Sequence, residues 1–192
     1  MRLNIASVIM LTCGYASLDA GLPTVLTTVG NLSVKTLGPI WAVNTGVIVI
    51  SQLFVLKRIE GISRTKLLGL VGVLWATCWL LVWAGLGLTA TWTFVFAAIG
   101  IAVFAIGETV WSPIGPALAN ELAPEHLRGR YSAMTSLVWV ISGALGPMVS
   151  GLMLGANLAT IWFALLMLGA LLGGYLCLRL GALFTDAQDG RA

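Results

Sequence analysis

Six long apolar runs decide what this chain can fold into. They extend over Leu3–Val29, Leu37–Leu56, Lys66–Leu88, Trp92–Leu118, Tyr131–Leu154 and Asn157–Leu183. A helix rises about 1.5 Å per residue and a bilayer core is about 30 Å thick, so each run can cross a membrane. The runs are apolar all round, which favours helices over a β-barrel. We predict an all-α membrane protein whose six transmembrane helices form a single domain, with no soluble domain.

The composition and the placement of charge support this prediction. Of the 192 residues, 59% are hydrophobic and only 9% are charged, which excludes an ordinary soluble domain. If the six spans alternate in direction, the basic residues gather on one side of the membrane, and only Lys35 falls on the other. The positive-inside rule then predicts a multi-pass protein of the cell (inner or plasma) membrane with both termini in the cytoplasm. The basic residues do not form one continuous face, so nucleic acid is not an expected partner.

The first and fourth spans resemble each other. Each carries one acid at a similar depth, Asp19 and Glu108, and a proline about one helical turn later, Pro23 and Pro113. A repeat of three spans places the second unit upside down relative to the first, as in many secondary transporters. We therefore predict two inverted three-helix repeats.

Asp19 and Glu108 are the candidate proton or substrate sites. A carboxylate inside an apolar span is costly unless a partner, water or a proton compensates it. No span carries a lysine or arginine near mid-depth, and Glu108 lies between Phe104 and Trp111, where desolvation disfavours the charged form. Glu108 could therefore exchange a proton or pair with a cationic substrate. The alternative is a structural acid held by a neighbouring hydroxyl or backbone group.

Other polar and aromatic residues fall on the same helical faces as these acids or on a matching stripe of the second span. The cavity-lining candidates are Tyr15, Asn44, Gln52 and Trp111. The two amides could instead hydrogen-bond between helices as packing contacts.

The fifth span carries small residues that would allow a close helix approach, with a bend at its proline. These packing and bend candidates are Gly143, Gly146, Pro147 and Gly151. The connection before this span is charged. Glu121, Arg128 and Arg130 are candidates for a cytoplasmic gating latch, and the alternative is a solvated loop that only sets topology.

Three stretches resemble a known family. GETVWSPIGPALANELAPEHLRGRYSA resembles the tenth span and following loop of drug-efflux transporters of the major facilitator superfamily. IWAVNTGVIVISQLFVLKRIEG resembles their eighth span, and GALGPMVSGLMLG resembles their eleventh. The resemblance implies a fold of two six-helix halves with the substrate cavity between them. The connection LKRIEGISRTKLL lacks the aspartate and glycine spacing typical of the N-terminal half, so the chain resembles the C-terminal half.

The resemblance implies a half-size secondary transporter that exports amphipathic small molecules in exchange for protons. Such a chain would work as a homodimer or with a separate N-terminal half. The alternative is a non-transporting membrane subunit or a fragment of a twelve-span transporter. An enzyme is not expected, because H-E-x-x-H, G-x-S-x-G and Cys/His arrangements are absent from the sequence. No cofactor is expected, and the sole histidine, His126, cannot build a metal site alone.

Overall fold

The computed structural model describes residues 2–121 and 123–191, and these residues form six long helices. The helices are α1 (Arg2–Thr28), α2 (Leu37–Ile59), α3 (Arg64–Gly85), α4 (Ala90–Glu121), α5 (Arg128–Gly155) and α6 (Ala159–Leu180). Short 3-10 turns lie at Val34–Thr36, Glu125–Leu127 and Gly181–Leu183. All six helices are long and apolar enough to cross a membrane, and the described residues contain no strand. The prediction of an all-α, six-span protein is confirmed.

The ends of α3 illustrate how local chemistry sets the helix boundaries. The sequence predicts a third span from Lys66 to Leu88. The helix begins earlier because Ser63 caps it, its side chain accepting a hydrogen bond of 3.3 Å from the backbone N–H of Lys66. It ends earlier because the chain turns at Gly87, whose φ of +81° favours glycine.

The packing pattern repeats between the two halves of the chain. Helix α1 packs against α5 and α6, as α4 packs against α2 and α3, and α3 packs against α6. If α1 is exchanged with α4, α2 with α5 and α3 with α6, the same helix pairs are in contact. The pattern is that of two three-helix repeats, and an odd number of spans per repeat inverts the second one.

The core lies where α1, α3 and α6 meet. The indole rings of Trp79 and Trp162 and the ring of Phe163 form edge-to-face pairs there, with the two indole centroids 5.3 Å apart. All three side chains are fully buried. Helices α2 and α5 bury the smallest share of the residues in their membrane-spanning stretches, so they form the open flanks of the bundle.

A π-helical segment, Thr12–Ala16, interrupts α1. Such a segment leaves a carbonyl without its usual helical partner. Here the indole Nε1–H of Trp79 donates a hydrogen bond of 2.7 Å to the carbonyl oxygen of Cys13. The hydroxyl of Ser17 donates one of 2.7 Å to the carbonyl oxygen of Thr12. The irregular segment is therefore held by hydrogen bonds from α3 and from α1 itself.

The four packing and bend candidates of α5 have different surroundings. Gly146 is buried against the backbone and Cβ of Ala16, where a side chain on residue 146 would overlap. Gly143 and Gly151 make no such contact, because, apart from the adjoining residues and nearby backbone of α5 itself, no described atom lies within 4 Å of where their Cβ would be. Pro147 is exposed and lies within α5, which continues on both sides of it. Of the three glycines, only Gly146 lies in a close contact between helices of this chain.

Candidate functional site

Glu108 and Asn44 meet where α4 faces α2. The side-chain amide Nδ2 of Asn44 donates a hydrogen bond of 3.2 Å to Oε2 of Glu108. Asn44 is almost fully buried, whereas Glu108 is half-buried. No lysine, arginine or histidine of the described residues lies within ion-pair distance of Glu108. The carboxyl group therefore has a neutral partner and no compensating cation.

A cavity of about 200 Å³ opens beside this pair. Its walls come from one face of α2 and one face of α4, and they combine apolar and polar groups. The lining residues are Ile48, Gln52, Leu56, Glu108, Thr109, Ser112 and Pro113. The hydroxyl of Thr109 donates to the carbonyl oxygen of Ala105 over 2.8 Å and lies 3.4 Å from that of Ser51. Gln52, a predicted cavity residue, lies in this cavity with Glu108.

The two aromatic candidates do not line this cavity, although the hydroxyl of Tyr15 lies close to the carboxyl group of Glu108. The ring of Tyr15 packs edge-on against those of Trp75, Phe104 and Trp139, each with its centroid 5.5 Å away. Trp111 contacts Trp75 and lines a separate space of about 20 Å³ between α1, α4 and α5. Neither aromatic residue lines the cavity at Glu108. Their cluster instead fixes Phe104, which lies one turn from Glu108 on α4.

Asp19 is exposed on α1, after the π-helical segment. Its carboxyl group makes no hydrogen bond or ion pair with the part of the chain that the structure describes. It is close enough to Glu108 for their charges to interact. The two acids of the spans therefore belong to one electrostatic environment without sharing a hydrogen bond.

The three gating candidates do not form one latch. Glu121, at the end of α4, forms an ion pair with Arg64 at the start of α3. Arg128 pairs with Glu125 at 3.8 Å, and both of these side chains are largely exposed. Arg130 is exposed and makes no ion pair with a described residue.

A third carboxylate, Asp189, forms a site that the sequence analysis did not single out. It is fully buried and accepts hydrogen bonds from the hydroxyl of Ser63 (2.6 Å) and from the backbone N–H and hydroxyl of Thr65 (2.9 Å each). Arg191 adds an ion pair of 2.9 Å. The backbone N–H of Arg64 also donates to the carbonyl oxygen of Asp189 over 2.8 Å. The C-terminal segment is thereby fastened to the N-terminus of α3.

Sequence reasoning also missed Ser51 and Thr109 at the first site. Thr109 follows Glu108 directly in the chain, so its position in the sequence could have identified it as a residue of this site. Ser51 precedes Gln52 but carries no feature that separates it from other span serines. Asp189 could not be found, because nothing local links it to Ser63 or Thr65.

The chemistry available at the Glu108 site is that of one carboxyl group, one amide and several hydroxyls next to an apolar wall. The carboxyl group of Glu108 can hold a proton or, when ionised, attract a cation. Within residues 2–121 and 123–191, no three side chains of His, Cys, Asp or Glu are close enough together to hold a metal ion.

Comparison with known proteins identifies the family. The model of the Major Facilitator Superfamily matches residues 2–147, which is most of the chain. The chain belongs to this superfamily. This superfamily member is 32% identical over 95 residues to the uncharacterized MFS-type transporter YhjO of Bacillus subtilis strain 168, a match covering 48% of the chain and 23% of the relative. It is 28% identical over 134 residues to the uncharacterized MFS-type transporter YdeE of Escherichia coli K12, covering 65% of the chain and 30% of the relative.

The regions that match take up less than a third of the length of either relative. No solved structure gives a significant match to this superfamily member. Membership and the six apolar helices together identify it as a multi-pass membrane protein.

Proposed function

We propose that this chain is one six-helix unit of a secondary transporter that exports amphipathic small molecules in exchange for protons. Glu108 is its proton-carrying or cation-binding group, and Asp19 is a second acid in the same field. The observation that carries the proposal is the half-buried Glu108 carboxyl, hydrogen-bonded by a neutral amide beside an open cavity.

The electrostatics of Glu108 support this role. A carboxylate at membrane depth needs a compensating charge, a proton or water. Asn44 supplies one hydrogen bond but no charge, and no described cation is within ion-pair distance. The remaining compensation can come from a proton or from a cationic substrate. Alternation between these two is the chemical basis of proton-coupled exchange.

The cavity walls support an amphipathic substrate. Ile48, Leu56 and Pro113 offer apolar surface, whereas Glu108 and Ser112 offer polar contacts. A molecule with one cationic group and an apolar body matches this division.

A second six-helix unit is the partner in this proposal. The cavity lies between α2 and α4, and α2 and α5 are the least buried helices of the bundle. A unit packed on these flanks would close the cavity. It is either a second copy in a parallel homodimer or a separate N-terminal half that this C-terminal-like half requires. The non-transporting subunit or fragment remains the alternative, favoured by the small share of each relative that the chain matches.

The orientation in the proposal follows from the basic residues. Lys57, Arg58, Arg64 and Arg128 flank helix ends on the side that carries both termini. By the positive-inside rule, that side faces the cytoplasm.

The test uses the purified full chain in proteoliposomes with an imposed proton gradient and ethidium as the amphipathic cation. Glu108→Gln keeps the shape of the side chain but cannot exchange a proton, so gradient-driven ethidium movement should fall to the protein-free background. The control is Glu125→Gln, because Glu125 is exposed in the loop before α5. Full activity in Glu108→Gln would remove Glu108 from this role.

Native mass spectrometry from mild detergent decides the partner. A dimer that transports ethidium supports the homodimer. A strict monomer without transport contradicts the homodimer and favours a chain that needs a complementary half or does not transport.

A further inference from the structure

The start of α1 and the end of α6 enclose a groove that lies apart from the Glu108 cavity. Its volume is about 400 Å³, and its walls combine aliphatic side chains with two arginines. The lining residues are Arg2, Ile5, Leu176, Arg179, Leu180 and Leu183.

Helix geometry places the two arginines at one level of the groove. Helix α1 enters the membrane at the end where α6 leaves it, because an even number of spans brings both termini to the same side. Ile5 follows Arg2 by about one turn, and Leu176 precedes Arg179 by about one turn. Ile5 and Leu176 therefore form an aliphatic wall deeper in the membrane than the arginines, whereas Leu180 and Leu183 lie at or beyond the level of Arg179.

Neither arginine is neutralised by a neighbouring acid. Arg64, Arg128 and Arg191 all form ion pairs with carboxylates, but Arg2 and Arg179 form none with the residues described. The groove lining contains no acidic residue. Two uncompensated positive charges thus face the same space.

The positive charge is specific to this side of α1. On its other side, α1 and α5 form a groove of about 260 Å³ that also includes Ile5. That groove is lined by Asn4 and apolar side chains, without a charged residue. Proximity to the start of α1 therefore does not by itself make a groove basic.

We propose that the α1–α6 groove binds one anionic phospholipid. Its phosphate lies between the guanidinium groups of Arg2 and Arg179, and an acyl chain lies along Ile5 and Leu176. Basic pockets between helices at the membrane surface bind lipid headgroups through charge. The aliphatic walls favour a lipid over a free phosphate ion, because an ion would leave them without an apolar partner.

The experiment is a lipid titration followed by native mass spectrometry. The delipidated full chain in mild detergent receives dioleoylphosphatidylglycerol or dioleoylphosphatidylcholine, and the lipid adducts are quantified. The variants are Arg2→Gln/Arg179→Gln, each single change, and the charge-conserving Arg2→Lys/Arg179→Lys.

Arg58→Gln is the matched control. Arg58 is exposed and its guanidinium lies 5.9 Å from the centroid of the Phe54 ring, as that of Arg179 lies 5.9 Å from the ring of Tyr175. It is located on the same side of the protein but does not line the groove.

The wild type and Arg58→Gln should bind one phosphatidylglycerol in preference to phosphatidylcholine. The double glutamine variant should bind it about thirtyfold more weakly, because each of the two surface arginines contributes about 1 kcal/mol to anionic lipid binding. The lysine variant should retain most of the binding. The single variants carry the test if the double variant does not fold.

Three results would overturn the proposal. Equal retention of both lipids by the wild type would show that the groove does not select lipids by the charge of the headgroup. An equal loss in Arg58→Gln would show that any basic residue on this side suffices. Displacement of the lipid by millimolar inorganic phosphate would identify a phosphate-ion site instead.

Discussion

Glu108 and Asp189 are both carboxylates removed from free solvent, but their surroundings differ in every respect. Glu108 has one neutral amide donor and adjoins a cavity of about 200 Å³. Asp189 is fully buried, with donors from Ser63, Thr65 and Arg191. A saturated carboxylate has no remaining capacity for a ligand, whereas an undersaturated one beside a cavity does. The comparison separates an acid that holds the structure together from one that is available for chemistry.

The position of each acid agrees with this division. Glu108 lies in the middle of α4, where a second unit could cover it. Asp189 lies beyond α6 and caps the N-terminus of α3, where the helix dipole and free N–H groups favour a negative charge. The pairing of Arg64 with Glu121 attaches the end of α4 to the same region.

The largest effect expected is on stability, from Asp189→Asn. The asparagine side chain has the same shape as that of aspartate, but its N–H₂ group would face the hydrogen-bond donors of Ser63, Thr65 and Arg191, and the negative charge is lost. We expect a loss of about 2–3 kcal/mol in the free energy of unfolding, measured by denaturant titration in mixed micelles. Asp186→Asn is the control, because its carboxyl is exposed and its pairing with Arg191 should contribute under about 0.5 kcal/mol. Equal effects of the two changes would contradict a special role for Asp189.

Acid should undo the same contact. Burial alone would raise the pKa of the Asp189 carboxyl, but the hydrogen bonds from Ser63, Thr65 and Arg191 outweigh it and hold the pKa below its ordinary value. A carboxyl whose pKa is lower when folded stabilises fully above its unfolded value of about 3.9, and the stabilisation is lost as the pH falls through the folded value. The protection factors of the amides of residues 185–191, which relate hydrogen exchange to the intrinsic rate at each pH, should therefore be high at pH 7 and fall below about pH 4. Release of the segment between pH 6 and 7 would contradict this assignment.

A smaller effect is expected from Arg64→Gln. This change removes the ion pair with Glu121 and the hydrogen bond of 3.3 Å to the carbonyl oxygen of Gln188. We expect a loss of about 1 kcal/mol, since the pair is only partly shielded from water. Arg128→Gln, which removes the exposed pair with Glu125, should cause no measurable change in the same titration. Equal losses would mean that burial does not distinguish the two pairs.

The smallest stability effect should come from Glu108→Gln, although this change should abolish coupled transport. Asn44 can still donate to the amide oxygen, and the uncompensated charge is removed. The free energy of unfolding should change by less than about 1 kcal/mol, in the direction of greater stability. A large destabilisation would place Glu108 with Asp189 among the structural acids and remove the contrast between them.

The helical architecture was predictable because it depends on local properties. The number of spans follows from the length and hydropathy of the apolar runs. The acid and proline that recur as Asp19–Pro23 and Glu108–Pro113 predicted that α1 and α4 occupy equivalent positions in two repeats, and the helix packing agrees. Helix ends were less predictable. The sequence places the start of the fifth span at Tyr131, but α5 begins at Arg128, because the turn after Pro124 leads directly into the helix.

The π-helical segment of α1 could not be predicted from its sequence, TCGYA. Its irregular backbone depends on a hydrogen bond from Trp79, which is 66 residues away in the chain. The different surroundings of Gly143 and Gly146 are unpredictable for a related reason. Both occur in the same small-residue run, and only the position of α1 decides which one is covered.

The sequence by itself determined that this protein is a bundle of six membrane helices, that its spans carry two acids, and that it resembles a transporter family. These properties are local, because each depends on neighbouring residues. The tertiary structure alone decided which acid has which partner. Asn44 and Glu108 are 64 residues apart, and Ser63 and Asp189 are 126 apart, so neither contact leaves a local pattern. The partners decide the chemistry, because an identical carboxyl group is a structural cap when saturated with donors and a candidate proton site when it is not.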